Sequence, residues 1–365
     1  MSGSTYGTMF KITTWGESHG KGIGVVVDGC PAGLTIDESI IQTYLNRRKP
    51  GQTRYATPRK EEDQVHILSG IFEGKTTGTP ISMMIMNETA HSHDYSEIAN
   101  YYRPGHADFA FDSKYGFRDY RGGGRSSGRE TIGRVAAGAI AATLLKELGV
   151  EVFAYTKSIG PIQIDYSNCQ KDNLVLSPLS MPDLSASAKA EDLLQEAMQA
   201  QDSVGGVIEC IISGVPAGIG EPVFDKLDAN LAKAIMSIGA VKGVELGDGF
   251  GACNLKGSEN NDSFSYTNGK VTKTSNHAGG ILGGISDGSE IILRAAIKAT
   301  PSIMKPQNTI NKNNENISVQ VKGRHDPIIV PRAVVVVESM TALTILDLMM
   351  MNATSTLTKL KKIYQ

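Results

Sequence analysis

The residues best suited to chemistry lie in one stretch at 118–134, RDYRGGGRSSGRETIGR, which holds five arginines among glycines and serines. Glycine lets a backbone approach a ligand closely, and arginine forks match the paired oxygens of a phosphate or carboxylate. A helix face that is merely solvated would instead carry Lys and Glu four residues apart. The Ala/Leu-rich run at 135–149 favours a helix, whose first N–H groups also attract anions. The stretch therefore predicts an anion site on a glycine-rich loop that opens into a helix.

Two histidines in glycine-flanked loops are candidates for acid–base work: His19 in GESHG and His106 in RPGHADF. Imidazole titrates near neutral pH, so it can donate or accept a proton there. A lone histidine is more often structural, but two of them beside arginine-rich glycine loops favour catalysis. KGRHDP adds Arg324, His325 and Asp326, and spacing alone leaves open whether these form an ion pair or part of a catalytic set.

Two alternatives belong to other functional classes. HSHD places His91, His93 and Asp94 in a polar loop, which would suit a metal-dependent phosphatase, although this spacing is a weak signal for zinc. A non-catalytic binder of phosphorylated metabolites could use the same arginines, and then His106→Ala would leave its function intact. No dinucleotide fingerprint follows a predicted strand, and no P-loop motif occurs.

The composition of the chain narrows the class of protein. Its 36 Lys and Arg residues balance 38 Asp and Glu residues, for a net charge of −2. A nucleic-acid binder usually carries a basic excess, so the local arginines favour a small anion. No apolar run approaches the roughly 20 residues of a membrane span, and no signal-peptide core is evident. Four scattered cysteines are typical of reduced thiols. We expect a soluble, cytoplasmic protein.

The secondary-structure elements that must position these residues are predicted to be strands alternating with helices. GCPAGL at 29–34 is echoed by GVPAGI at 214–219, and 279–298 loosely echoes 76–87. Each PAG motif follows an apolar strand and precedes a helix. We interpret the echoes as two related β–loop–α–β units, about 1–150 and 200–350, within one domain over 1–365, with helices packed between two sheets.

Other segments have separate predictions. The weakly patterned segment 151–185 is predicted to be peripheral, and 188–200 is predicted to form an amphipathic helix. A further helix is predicted over 224–238 because its leucines and isoleucine recur every four residues. The polar segment 255–272 reads as an exposed, mobile loop. AVVVVES at 333–339 reads as a final apolar strand before a helix.

Five motifs, in this order and at this spacing, resemble those of the chorismate synthase family. They are GESHG at 16–20, RPGHAD at 103–108, YRGGGRSSGRET at 120–131, SNHAGGILGGIS at 275–286 and GRHDP at 323–327. The resemblance implies an α+β fold with helices between two four-stranded antiparallel sheets, assembled as a homotetramer. It also implies a carbon–oxygen lyase of the shikimate pathway, which leads to the aromatic amino acids. The implied reaction is anti-1,4-elimination of phosphate from 5-enolpyruvylshikimate 3-phosphate to give chorismate, with reduced FMN and no net redox change.

The resemblance also implies roles for individual positions. His19, with Ser18 beside it, would protonate the departing phosphate, His106 would donate to the reduced flavin ring, and Asp326 would assist proton removal near flavin N5. Ser127 joins this catalytic group. The positions that would contact FMN are Arg125, Ser126, Ser127, Gly239, Ala240, Gly283, Lys298, Ala299, Thr300, Pro301, Ser302 and Arg324. The positions that would hold phosphate and carboxylates are Arg48, Arg54, Arg129 and Arg324, and NADP contacts are also described in this family at Arg48 and Arg54. No metal is implied.

The chain departs from the family pattern at four positions. Gly239 stands where Asn is usual and Ala299 where Pro is usual, and both fall on implied FMN contacts. Gly128 stands where Ala is usual, and Trp15 replaces a common Phe. Because no dinucleotide fingerprint is present, we expect reduced FMN to come from an external flavin reductase.

Overall fold

Two antiparallel sheets face each other across a layer of helices in the computed structural model of this chain. The model describes residues 3–51, 53–55, 61–87, 97–321 and 326–365. The helices in these residues are α1 (Glu38–Arg48), α2 (Asp108–Tyr115), α3 (Thr131–Glu147), α4 (Asn173–Leu176), α5 (Leu184–Gln199), α6 (Leu227–Met236), α7 (Gly257–Asn260), α8 (Val330–Asn352) and α9 (Leu357–Tyr364).

The strands form two large sheets and several short hairpins. They are β1 (Thr5–Tyr6), β2 (Lys11–Gly16), β3 (Gly22–Asp28), β4 (Val65–Ile67), β5 (Ile71–Phe72), β6 (Lys75–Thr76), β7 (Ile81–Met86), β8 (Glu151–Ile159), β9 (Ile162–Gln163), β10 (Gly206–Ser213), β11 (Val241–Leu246), β12 (Phe264–Thr267), β13 (Lys270–Lys273), β14 (Ile281–Leu282), β15 (Ile285–Ser286), β16 (Ile291–Ile297), β17 (Gln307–Ile310) and β18 (Asn316–Val319).

The first sheet has the order β1-β2-β3-β7-β4, and the second has the order β11-β16-β10-β8-β9. Neighbouring strands in both sheets are antiparallel. The expected fold class is therefore confirmed. Each sheet carries one strand more than the four expected, and that additional edge strand, β1 or β9, is only two residues long.

The core lies between the sheets. Strand side chains point alternately to opposite faces, so one face of each sheet can be apolar. In β3 the residues Ile23, Val25 and Val27 are fully buried, as are Ile291 and Leu293 in β16. Helix α3 packs on the first sheet, α8 packs on the second, and the two helices contact each other, with α1 beside α3 and α6 beside α8.

Small residues let the two central helices approach closely. A Cβ added to Gly138 of α3 would lie 2.3 Å from the Cβ of Ser339 in α8. Such a contact is too short for any larger side chain, so glycine is required at this crossing. Within the described residues, α8 is the one helix long and apolar enough to cross a membrane, but 83% of its most apolar window is buried inside the protein. It is the core helix of a soluble protein.

Both halves of the sandwich follow the same order of elements. Strands β2, β3, β4 and β7 take the positions in the first sheet that β8, β10, β11 and β16 take in the second. In each half a helix follows the second strand, a short hairpin precedes the fourth, and a long helix comes after it. This matching order supports the hypothesis of an internal repeat, which would begin at Glu151 in the second half.

Several local predictions were wrong. The segment 151–185 is not peripheral, because β8 pairs with β10 along its whole length and buries Ala154 and Thr156. The run 333–339 is helical, since burial within the central layer outweighs the strand preference of its valines. The segment 255–272 is mostly exposed, as predicted, but it is not an irregular loop, because it contains α7 and most of the β12–β13 hairpin. The helix over 188–200 is confirmed as α5, whereas α6 is shorter than the predicted 224–238.

Candidate active site

One end of the sandwich collects most of the candidate site residues. There β2 ends at Gly16, α1 ends at Arg48 and α3 begins at Thr131. In the second sheet β16 ends at Ile297, directly before the run 298–302, and β11 begins directly after Ala240. Helices α3 and α8 both begin at this end, so their positively polarised N-termini lie beside the loops that carry the chemistry.

His19 lies in the turn between β2 and β3, against the first glycine of the GGG run. The Oγ of Ser18 is 3.0 Å from His19 Nδ1, and Ser18 is buried. A Cβ placed on Gly122 would be 2.1 Å from His19 Nδ1, so the imidazole occupies the space that a side chain at Gly122 would need. A hydrogen bond from Arg121, with a smaller contribution from His19, holds the pKa of Asp119 below its ordinary value.

His106 lies where a loop before α2 meets the loop after β16. Its Nε2 is 2.7 Å from the Oγ of Ser302. Lys298 Nζ donates to the carbonyl oxygen of Gly105 at 3.0 Å. Gly105 has a φ of +70°, and a Cβ there would be 2.6 Å from Pro301 Cβ. The structure therefore brings His106 together with the run 298–302, as the resemblance implies.

An ion pair between Arg103 and Asp108 fixes the loop that carries His106. The sequence analysis did not predict this role. Arg103 Nε and Nη2 donate to the two carboxylate oxygens of Asp108, each at 2.8 Å. Burial disfavours the charged carboxylate of Asp108, but the hydrogen bonds and charge of Arg103 outweigh it and lower its pKa. The sequence feature that could have revealed this pair is the Arg–x₄–Asp spacing within RPGHAD, because it lets the first and last residues of the motif form an ion pair.

Several groups in these loops suit a ligand such as FMN. The Oγ1 of Thr300 is buried and has no hydrogen-bond partner among the described residues. A Cβ added to Gly239 would have only the carbonyl oxygen of Ser126 within reach, at 4.0 Å. Lys298 N donates to the carbonyl oxygen of Ala240 at 3.0 Å, so both implied FMN segments meet here. A buried hydroxyl without a partner among the described residues and the room at Gly239 are both compatible with a polar cofactor in these loops.

The glycine-rich loop is closed by its own serines. Ser126 Oγ donates to the carbonyl oxygen of Gly123 at 2.6 Å, and Ser127 Oγ accepts from the N–H of Arg129 at 3.2 Å. Arg125 reaches back to β2, where it donates to the hydroxyl of Thr14 at 2.7 Å. These contacts fix the loop between the His19 turn and Gly239.

Each arginine of 118–134 is paired with a carboxylate of the same chain. The pairs are Arg118 with Asp108 and Asp112, Arg121 with Asp119, Arg125 with Glu130 at 3.8 Å, Arg129 with Asp63 and Glu61, and Arg134 with Glu130. The stretch is therefore less positive than its sequence suggests. Two of the acidic partners, Glu61 and Asp63, lie in the run EEDQ at 61–64, directly before β4. This acidic run is the only feature of the sequence that pointed to them.

Arg48 and Arg129 meet at one buried carboxylate. Asp63 accepts from Arg48 Nη1 and from Arg129 Nη1, each at 2.9 Å. Arg48 also donates to Thr131 Oγ1 at 3.1 Å and to the carbonyl oxygen of Gly128 at 2.9 Å. Burial lowers the pKa of the Arg48 guanidinium to about 10, and the charge of Asp63 partly opposes this shift.

The remaining candidates are placed differently. Arg54 pairs with Glu191 at 2.8 Å and its side chain is 64% exposed. Asp326 accepts from Arg332 Nη1 at 3.0 Å, and Arg332 Nε donates to the carbonyl oxygen of Arg48, so Asp326 is tied to the arginine cluster. Arg324 and the HSHD residues His91, His93 and Asp94 lie outside the described residues. In the part of the chain that is described, no group of His, Cys, Asp or Glu could hold a metal ion.

Gly283 is separated from the other implied FMN contacts. It lies in the β14–β15 turn, where the carbonyl oxygen of Gly284 accepts from the N–H of Leu227 at the start of α6. Gly239 and Ala240 follow the other end of that helix. The ten residues of α6 put its two ends about 15 Å apart. Within one chain the structure therefore does not bring Gly283 to the candidate site.

Comparisons with known proteins agree with this geometry. Residues 10–350 match the family model described as chorismate synthase. The chorismate synthase of Lachnoclostridium phytofermentans is 75% identical over 366 residues, which cover 100% of both chains. That of Methanosarcina mazei is 54% identical over 353 residues, which cover 96% of this chain and 97% of the other. A crystal structure of chorismate synthase matches with a TM-score of 0.77 at 30% identity, covering 98% of this chain and 97% of that one. By its sequence and by its fold, the chain belongs to the chorismate synthase family.

Proposed function

We propose that the end of the sandwich that carries His19 and His106 is the active site at which this chain converts 5-enolpyruvylshikimate 3-phosphate to chorismate and phosphate, with reduced FMN as cofactor. The observation that supports this proposal most directly is a chain of contacting residues that connects the two histidines. His19 lies on Gly122, Ser126 of the same loop faces Gly239, and the next residue, Ala240, is hydrogen-bonded to Lys298, whose side chain reaches the His106 loop. Loops from both sheets therefore border one site.

The chemistry explains why a cofactor is needed. The reaction removes a C3 phosphate and a C6 hydrogen, and neither the unactivated hydrogen nor the remote leaving group gives a side-chain base adequate driving force. Bound reduced FMN would supply transient electron density that weakens the C–O bond, without net redox change. The open space at Gly239 and the hydroxyl of Thr300, which has no partner in the described part of the chain, support an FMN site in these loops.

His19 is the proposed proton donor to the departing phosphate. If Ser18 Oγ donates across its 3.0 Å contact with Nδ1, the neutral imidazole carries its proton on Nε2 and can donate from that nitrogen. His106 is oriented by Ser302 and is the proposed donor to the flavin ring. Arg332 orients Asp326, which is proposed to assist proton removal near flavin N5. Ser127 of the glycine-rich loop is proposed to join this catalytic group.

The anionic groups of the substrate are proposed to bind beside the N-terminus of α3, where Arg129 and Arg48, whose side chains are only 6% and 3% exposed, supply positive charge from within the protein. Helix N-termini and arginine forks both favour phosphate. The implied contacts of Arg125, Lys298 and Arg324 would add positive charge around the cofactor. A nucleotide phosphate such as that of NADP would reach Arg54 far more readily than Arg48, because the Arg54 side chain is 64% exposed and that of Arg48 only 3%.

The sequence lacks a dinucleotide fingerprint, so we propose that an external flavin reductase supplies reduced FMN to a cytoplasmic homotetramer. Gly283 lies beside the opposite end of α6 from Gly239 and Ala240, so its role at the cofactor is tested separately from theirs.

Anaerobic incubation with photoreduced FMN and 5-enolpyruvylshikimate 3-phosphate tests the proposal. We expect chorismate and phosphate in equal amounts, with no turnover when NADPH and oxidised FMN are supplied without a reductase. Tight substrate binding without product would identify a binder, and loss of phosphate release on adding a chelator would identify a metal-dependent phosphatase. Either result would overturn the proposed reaction.

A further inference from the structure

A carboxylate outside the implied catalytic set occupies the centre of the anion site. The side chain of Asp63 is fully buried, and its two oxygens are shared between Arg48 and Arg129, whose side chains are 3% and 6% exposed. Both contacts are 2.9 Å long. Charged groups buried to this degree are held only where hydrogen bonds compensate them. One carboxylate therefore sets the spacing of two guanidinium groups.

From Asp63 a line of hydrogen bonds leads to the turn that carries His19. Arg129 Nε donates to the side-chain oxygen of Asn87. The amide nitrogen of Asn87 then donates to the carbonyl oxygens of Glu17 at 2.9 Å and Gly20 at 2.8 Å. These two residues flank Ser18 and His19. The position of Arg129 is thus coupled to the position of the proposed proton donor.

A second line leads from Asp63 to the proposed base. Arg48 is the last residue of α1, and its carbonyl oxygen accepts from Arg332 Nε at 3.2 Å. Arg332 Nη1 holds the carboxylate of Asp326 at 3.0 Å. The guanidinium of Arg48 meanwhile holds Gly128 and Thr131, where the glycine-rich loop passes into α3. Asp63 is therefore linked by hydrogen bonds to the supports of His19, of Asp326 and of the loop.

The balance of charges in this cluster is compatible with two opposite roles for Asp63. Among the described residues, and with the glutamate at 61, the cluster holds three guanidinium groups, at 48, 129 and 332, and three carboxylates, at 61, 63 and 326. Asp63 could compete with the substrate for Arg129, in which case its removal would tighten substrate binding. Alternatively it holds Arg129 in the geometry that the substrate needs, in which case its removal would weaken binding.

We infer that Asp63 is a positioning residue of this site, acting on substrate through Arg129 and Arg48. The backbone of Asp63 has a φ of +49°, a conformation that persists only where the surroundings impose it. Its oxygens are both engaged, so it is a fixed part of the cluster. The inference rests on the proposed function in one respect only, namely that the ligand of Arg129 is the substrate.

Asp63→Asn is the matched test, because Asn also tolerates a left-handed backbone and differs by one charge. We expect the KM for 5-enolpyruvylshikimate 3-phosphate to rise by roughly tenfold or more, the range expected for losing a hydrogen bond between charged groups, with a smaller fall in kcat. The control is Glu62→Gln, since the Glu62 side chain is 73% exposed and its ion-pair partner among the described residues is Lys49. A lowered KM in Asp63→Asn, or KM and kcat equal to those of the control, would overturn the inference.

A double-mutant cycle separates positioning from a general structural role. If Asp63 acts through Arg129, then Asp63→Asn should add little to the KM defect of Arg129→Lys, whereas independent effects would multiply. Should Asp63→Asn fail to fold, Asn87→Ala interrupts the same line at a partly exposed residue, and an unchanged KM there would contradict the coupling.

The wild-type protein is measured in the same assay. Absence of chorismate from the wild type would count against the proposed function alone. In that event, calorimetric binding of inorganic phosphate to the wild type and to Asp63→Asn decides the positioning role: weaker binding in the variant supports it, and equal or tighter binding overturns it.

Discussion

The imidazole of His19 lies where a side chain on Gly122 would have to be, with only 2.1 Å between Nδ1 and a Cβ built on that glycine. We therefore expect Gly122→Ala to displace His19 and lower kcat/KM by roughly 100-fold, the lower range of general acid catalysis. The measurement is steady-state turnover with photoreduced FMN. Gly128→Ala is the control, because a Cβ there would meet nothing within 4 Å. Equal activity of the two variants would contradict the contact between His19 and the loop.

His106 is expected to matter more than the hydroxyl that orients it. His106→Ala removes the proposed donor to the flavin and should lower kcat by roughly 100-fold or more. Ser302→Ala removes only the partner 2.7 Å from Nε2 and should have a smaller effect. Measuring kcat for both variants, together with the absorbance spectrum of bound reduced flavin, shows which substitution causes the larger defect. A larger defect in Ser302→Ala would show that the serine, and not the histidine, carries the function.

Thr300→Val tests whether a ligand satisfies the buried hydroxyl. In the protein without FMN, Oγ1 of Thr300 has no partner among the described residues, so an isosteric methyl group should raise the melting temperature slightly. If FMN bonds to this hydroxyl, the same change should weaken FMN binding by about fivefold, equivalent to about 1 kcal/mol. Fluorescence titration with FMN and thermal melting measure the two effects. Unchanged FMN affinity would exclude Thr300 as a contact.

Gly239→Asn restores the residue that is usual in the family. The structure has room for it, because only the carbonyl oxygen of Ser126 lies near an added Cβ, at 4.0 Å. We expect FMN binding to tighten by about fivefold, corresponding to one additional hydrogen bond. The same FMN titration measures it. Weaker binding would mean that the space beside Gly239 is not the one that the cofactor uses.

Glu209 is expected to make stability depend on acid pH. Burial disfavours its charged carboxylate, but hydrogen bonds from Tyr155, Tyr166 and Arg294 and the charge of Lys157 outweigh that cost and hold its pKa below the ordinary value of 4.5. A depressed folded pKa means that this stabilisation is complete above the ordinary value and is lost as the pH falls below it.

Glu209→Gln should therefore be less stable than the wild type near pH 7, and the difference should shrink as the pH is lowered through the ordinary glutamate range. Urea unfolding at a series of pH values measures the difference. Glu151→Gln is a matched control on the same sheet, because the Glu151 side chain is 64% exposed. A difference that stays constant with pH would show that Glu209 does not titrate as its contacts require.

Local pattern predicted the parts of the fold that depend on near neighbours. The polar amphipathic helix α5 follows from a periodicity of 3.6 residues. The valines of 334–337 were misread because a β-branched run favours a strand when taken alone. Its helical state depends on burial between α3 and the second sheet, which no local window contains.

The sequence by itself determined the family and its reaction, and it supplied the side chains that are proposed to carry that reaction, because motif order and residue type do not depend on coordinates. Only the tertiary structure decided which charges meet. It joined Asp63 to Arg48 and Arg129, laid His19 on Gly122 and left Gly283 at the far end of α6. These relations depend on how helices and sheets separated by tens of residues pack together, and packing is a property of the whole chain.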